Sequence, residues 1–299
     1  MISVEIRSEA IAENIIGDRT GRRIYIYLPP GYNSSDKAYP AVYFLHGYGS
    51  SCVDFMNLCE PRLDVRFMNG AKEFILVALD GNNKTGGSFY VNSPVSGNWE
   101  DFVVKEVVTY MDTNYRTIPG AASRGISGYS MGGFGALNLC LKHPDVFGSA
   151  LVFCPGLFAN DDLGALLASW RGVPDISESY AQAFSPDVNN TADYGNVIRA
   201  SDIIARNRVW QDWMNGFGNW DKKLDAYLAL NKPLKAIEIT YSNEDSYRWI
   251  TRGCINLLKL MEERKIGYLS DTYAGGHIIP GDAIEKYFIP FFEETLVRG

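Results

Sequence analysis

The segment Gly125–Asn138, GISGYSMGGFGALN, joins a short apolar run to a helical pattern through five glycines. Within it, Gly128-Tyr129-Ser130-Met131-Gly132 has the form G-x-S-x-G. That form has a mechanical rationale where a strand turns abruptly into a helix, which strains the serine and projects its Oγ from the sheet edge. Upstream, SRGIS supplies a short strand. Downstream, Met131, Phe134, Leu137 and Leu141 are spaced as one helix face that stops at His143-Pro144. Side chains at positions 128 and 132 would collide across so tight a turn, which is why glycine occupies both. Gly133 and Gly135 allow the helix to lie close on the sheet.

A strand of this kind needs neighbours, and the chain has them. Apolar runs bounded by turn residues occur at RRIYIYLPP, PAVYFLH, FILVALD, SALVFC and KAIEITY. Helical patterns lie between several of them, notably Trp99–Tyr115, with Phe102, Val103, Val107, Tyr110 and Met111 on one face. Strands alternating with helices predict an α/β fold with a mainly parallel sheet covered on both faces. At 299 residues and 46% hydrophobic content, one domain spanning residues 1–299 accommodates this pattern. The interval 155–234 between two strands is far longer than the ~10–12 residues a crossover requires. The surplus predicts a cap over the strand ends, where open α/β sheets take their ligands. It holds Trp170, Trp210, Trp213 and Trp220, four of the six tryptophans, and so is expected to be aromatic.

Charge and cysteine usage narrow the chemistry. The formal charge is −7 and no Lys/Arg cluster is visible, which argues against a nucleic-acid partner. Apolar runs such as FILVAL are far shorter than the ~20 residues of a membrane span. The first residues, MISVEIRSEAIAEN, lack the basic and apolar segments of an export signal, so a cytoplasmic location is expected. Five cysteines are too few for a disulfide framework and read as reduced, buried thiols. Three scattered histidines make no zinc site, no glycine run has the spacing of a dinucleotide loop, and DGNNKTGG carries Lys84 where a calcium loop needs a ligand. Neither a metal nor a cofactor is expected. The residues leave homo-oligomerisation open.

A nucleophilic serine needs a base for its proton and an acid to hold that base in its working tautomer. His46 precedes the serine and His143 ends the helix after it. His277, on the glycine-flanked loop YAGGHIIPGD after the strand pattern IGYLSDTYA, is the candidate base. Asp245, on the loop after KAIEITY, is the candidate acid, with the adjacent Glu244 as alternative. Two backbone N–H groups must face the developing alkoxide. Met131, after the serine, offers one; Tyr48, in the His46-Gly47-Tyr48-Gly49 turn, offers the other. Phe89, Tyr90, Trp210 and Trp213 are the candidate substrate wall.

With these residues in place, the chain resembles the esterase D-like family of α/β-hydrolases, which includes feruloyl esterases, S-formylglutathione hydrolases and mycolyltransferases. The likeness rests on YLPPGY, FLHGYGSS, GGSFYVNSPVSGNWEDFVVKEV, GYSMGGFGAL and HPDVFGSA, between about Arg23 and Leu296. It implies the α/β-hydrolase fold, with Ser130 as nucleophile, Asp245 as acid, His277 as base, and Tyr48 and Met131 as oxyanion donors. The implied function is a serine carboxylic-ester hydrolase working through an acyl-enzyme on a small-molecule ester, with neutral aryl or short-acyl esters expected. The rivals are an acyltransferase with the same triad, an S-formylglutathione hydrolase, a peptidase, and a non-catalytic binder of the same fold. The chain has HGYGS where S-formylglutathione hydrolases typically show S-G-L-T-C, a departure that bears on glutathione thioesters.

Overall fold

A computed structural model describes residues 1–298. Eight strands form one sheet: β1 (Ile2–Arg7), β2 (Gly21–Tyr27), β3 (Ala41–Leu45), β4 (Ile75–Leu79), β5 (Arg124–Tyr129), β6 (Ser149–Phe153), β7 (Ala236–Ser242) and β8 (Leu269–Tyr273). Their spatial order is β1-β2-β4-β3-β5-β6-β7-β8. β2 pairs antiparallel with both β1 and β4, and every other pairing is parallel. The central strands read as continuous apolar runs because helices cover both faces. Ala41, Tyr43 and Leu45 of β3 enter the core on one side, whereas Val42 and Phe44 enter the core on the other. The second layer is closed by α1 (Cys52–Met68) and the C-terminal helix Ile289–Thr295, through Phe55, Met56, Leu63 and Phe292.

Two elements depart from the sequence expectation or add to it. β1 is an extra edge strand; its Val4 and Ile6 pack part-buried on the core while Ser3, Glu5 and Arg7 between and beside them are exposed, so no continuous apolar run announces it. Residues 99–114 are helical as expected, but Phe102–Val107 is wound as a π-helix. The wider winding turns Val104 and Val108 into the core beside Phe102, Val103, Val107 and Met111, while Tyr110 stays partly exposed. All five cysteines are buried and free.

The helix α2 (Met131–Lys142) follows β5 and is buried along its whole length except at Lys142. Its upper cover comes from the interval between β6 and β7, which folds into five helices: α3 (Leu163–Ser169), α4 (Ile176–Phe184), α5 (Ala200–Ala205), α6 (Arg208–Asn215) and α7 (Trp220–Ala229). An aromatic cluster holds them together. Tyr180 Oη donates to Trp213 O (2.9 Å) and accepts from Phe217 N (2.7 Å), and the Tyr180 ring packs on Trp213, Phe217 and Trp170. The helix α8 (Arg248–Glu263), after β7, ties in from below. Its Trp249 Nε1 donates to Ser169 Oγ (2.8 Å), and its Arg252 pairs with Asp162 through two bonds of 2.7 and 2.8 Å.

Candidate active site

Ser130 lies between β5 and α2 at φ 56°, ψ −117°, a conformation L-residues rarely adopt. The glycines make this turn fit. A Cβ on Gly132 would stand 2.0 Å from Leu45 O, and one on Gly128 2.1 Å from Gly132 O. No side chain fits either gap. The Ser130 Oγ is thereby held 2.9 Å from His277 Nε2, and His277 Nδ1 lies 2.8 Å from Asp245 Oδ2. A hydrogen-bond chain follows in which His277 Nδ1–H donates to the carboxylate and Ser130 Oγ–H donates to Nε2. Asp245 is fully buried and its Oδ1 accepts from Tyr247 N (2.7 Å), whereas Glu244 is exposed and makes no bond to His277.

His277 is fixed from several directions. Tyr129 Oη donates to His277 O (2.6 Å), and Tyr273 Oη donates to Ile278 O (2.6 Å). The Tyr129 ring stacks obliquely on the imidazole at 4.9 Å, and Tyr247 meets it edge-on at 5.0 Å. Cys154 completes this surround. Its Sγ, the Asp245 carboxylate and the His277 ring offer ligand atoms within 4.8 Å of one another. Burial pushes the Cys154 thiol up to about 12.

Above the serine, the backbone N–H groups of Tyr48 and Met131 donate to no protein acceptor among the described residues. Tyr48 is anchored by its Oη, which donates to Thr85 O (2.6 Å). His46 is neutral by its bonding: Nδ1–H donates to Gly47 O (2.7 Å) and Nε2 accepts from Gly81 N (2.9 Å). A carbonyl oxygen placed against two free amides beside a serine is polarised, which is the arrangement acyl transfer needs.

Beside Ser130 opens a chamber of about 190 Å³. Phe89, Trp170, Ile176, Phe217 and Trp249 form its apolar wall, with Tyr48, Tyr129, Ser130, Met131, Tyr247 and His277 in the rest of the lining. Two of the four residues expected as substrate wall from the cap, Trp210 and Trp213, are not there. Trp213 is fully buried among the helices between β6 and β7 with its Nε1 donating to Asn196 O (3.0 Å), and Trp210 sits partly exposed under Arg206. Tyr90 is also absent from the chamber lining: it is buried, and its Oη donates to His46 O (3.0 Å), which props the His46–Gly49 turn. Phe89 alone of the four reaches the chamber. Phe89 and Tyr90 both have positive φ (54° and 55°), and that double bend sends successive rings to different places. The rings that do line the wall, Trp170, Phe217 and Trp249, come from three separate segments. A tryptophan's presence in a cap is visible in sequence; its direction is not. Larger hollows, such as one of about 470 Å³ between α2 and α7, lie away from the serine.

Comparison with known proteins agrees with this architecture. The sequence model of the Esterase family matches residues 18–279. An esterase of Mycobacterium tuberculosis is 33% identical over 155 residues, covering 50% of this chain and 32% of that protein, so the chain spans about a third of that relative's length. Among solved structures, an S-formylglutathione hydrolase from Agrobacterium tumefaciens superposes with a TM-score of 0.65 at 16% identity, over 99% of this chain and 95% of the other. A ferulic acid esterase from Anaeromyces mucronatus gives 0.60 at 17% identity, over 98% and 89%. The strand order, the turn at Ser130, the structural likenesses and the extent of the family match lead to one statement: this chain has the α/β-hydrolase fold and belongs to the Esterase family.

Proposed function

We propose that the chain is a serine esterase that cleaves small, neutral carboxylic esters with aryl or short acyl groups through an acyl-enzyme. The observation that carries this reading is the chain of two hydrogen bonds, Ser130 to His277 to Asp245, at the foot of an apolar chamber. In this reading, Ser130 Oγ attacks the ester carbonyl carbon as its proton passes to His277 Nε2. Asp245 keeps Nδ1 protonated and stabilises the imidazolium. The carbonyl oxygen, now negative, is met by the N–H groups of Tyr48 and Met131. Collapse breaks the bond to the alcohol oxygen, which takes the Nε2 proton and leaves. A water then gives a proton to Nε2 and attacks the acyl carbon; the acid is released and Ser130 regains its proton.

Residues 155–234 serve in this reading as the cap, since Trp170, Ile176 and Phe217 within them supply much of the chamber wall. The chamber is close in size to an engineered cavity of about 150 Å³ that binds benzene, which supports one ring or a short chain as the enclosed acyl part. Its lining contains no Lys or Arg. That lack favours esters whose acyl half is neutral.

The test is chemical labelling joined to substitution. A fluorophosphonate is expected to label one serine, on the peptide carrying Ser130, and Ser130→Ala is expected to abolish both labelling and turnover of p-nitrophenyl acetate. Labelling of any other serine, or turnover retained in Ser130→Ala, sinks the assignment.

A further inference from the structure

A second cleft of about 280 Å³ adjoins the chamber already described and shares Gly47, Ser50, Tyr129 and His277 with it. The rest of its lining includes Phe44, Phe55 and Leu58, Ile278 and Ile279, and, at the start of α1, Ser51 and Asp54. An ester has two halves, and they cannot share one enclosed space of single-ring size. The geometry of proton delivery distributes them. The departing oxygen must face His277 Nε2 to be protonated, so the alcohol half lies on the imidazole side while the acyl half fills the aromatic chamber.

The charge of the cleft is simple. It contains no Lys or Arg, and His46 is held neutral by the two bonds on its ring nitrogens. Apart from His277, the one ionisable side chain left is Asp54, which is exposed and takes part in no ion pair among the described residues. As a first-turn acid it suits the N-terminus of α1. That role calls for no cavity beside it. Ser51 Oγ accepts from Val53 N (3.1 Å) and keeps its own proton to donate into the cleft.

Resting on the reading of Ser130 and His277 as the reacting pair, we propose that this cleft is the alcohol subsite, built for a hydroxylated alcohol without negative charge, and that Asp54 rejects anionic alcohols and thiols.

The experiment holds the acyl group constant and varies the alcohol. Values of kcat/KM are measured at low salt for glycerol monoacetate, acetylcholine and O-acetylglycolate, which are neutral, cationic and anionic on the alcohol side. The wild-type protein is expected to favour the neutral and cationic esters over the anionic one by on the order of tenfold, the scale of one nearby charge at a surface dielectric. Asp54→Asn should bring the cation-to-anion ratio close to one, Asp54→Lys should invert it, and about 0.5 M salt should compress it in the wild-type protein. Asp54→Asn keeps the side-chain volume and reads the same ratio if lysine unfolds the turn. A ratio unchanged within about twofold in Asp54→Asn overturns the proposal while leaving ester hydrolysis intact. A response to charge on the acyl half instead, read from methyl acetate against methyl succinate, means the two spaces are assigned in reverse and also overturns it. Failure of the serine reading would look different: Ser130→Ala would keep its turnover whatever stands at position 54.

Discussion

Ser130 illustrates how far one residue can be read in advance. Its turn needed glycines at 128 and 132, and the gaps of about 2 Å that would remain for a Cβ there explain why the motif has its form. Order along the chain points to His277 and Asp245, and the fold places His277 within hydrogen-bond distance of both Asp245 and the serine. Tyr129 escaped notice because it occupies a variable position of that motif, where residue type carries no signal. The structure gives it two tasks, a ring against the imidazole and a hydroxyl on the backbone of the same residue. Tyr129→Phe keeps the ring and removes the hydroxyl. One hydrogen bond of ~1 kcal/mol corresponds to about a fivefold change, and we expect it in kcat with KM little altered. If KM moves and kcat does not, Tyr129 contacts substrate and does not position the base.

At the scale of elements, legibility followed burial. The strands β3, β4 and β6, buried at every position, stand out as apolar runs, whereas β1, with only Val4 and Ile6 part-buried, does not. The strand β7 carries an exception within an otherwise apolar run. Glu238 is only 9% exposed, and burial lifts its carboxyl to about 7, with Asp271 on the neighbouring strand acting in the same direction and Thr240 opposing it. A folded-state value above the ordinary carboxylate value of 4.5 means the folded form holds this proton more tightly than the unfolded form does. Its contribution to stability is therefore complete below the unfolded value and is lost as pH rises through about 7. Glu238→Gln, neutral throughout, should melt with the wild-type protein below pH ~4.5 and roughly 3–6 °C above it at pH ~8. Parallel melting curves at both pH values would show that Glu238 is solvated in the folded protein.

The whole molecule decides what the site can accept, and this was the least legible level. The length of the interval 155–234 and its tryptophans pointed to aromatic cover, yet the chamber wall is assembled from Trp170, Phe217 and Trp249, which meet only because α8 is pinned to α3 through Ser169 and Asp162. No local pattern encodes that meeting. The consequence for substrate choice can be measured. Each methylene moved from water into the chamber is worth ~0.8 kcal/mol, about fourfold in kcat/KM when the transition state retains the contact. A space of about 190 Å³, slightly larger than one that binds benzene, is filled by roughly six carbons. Across p-nitrophenyl esters from acetate to decanoate, kcat/KM should climb to about the six-carbon acyl group and then stop climbing. Ile176, 8% exposed on the wall, loses three carbons in Ile176→Ala, which should move the turning point about two carbons longer. A profile still rising at decanoate in the wild-type protein would mean that the acyl chain runs out along the surface and the cap does not enclose it. A turning point that stays put in Ile176→Ala would assign the limit to another part of the wall, and Phe217 against Trp249, stacked at 6.1 Å, is the pair that would then have to set it.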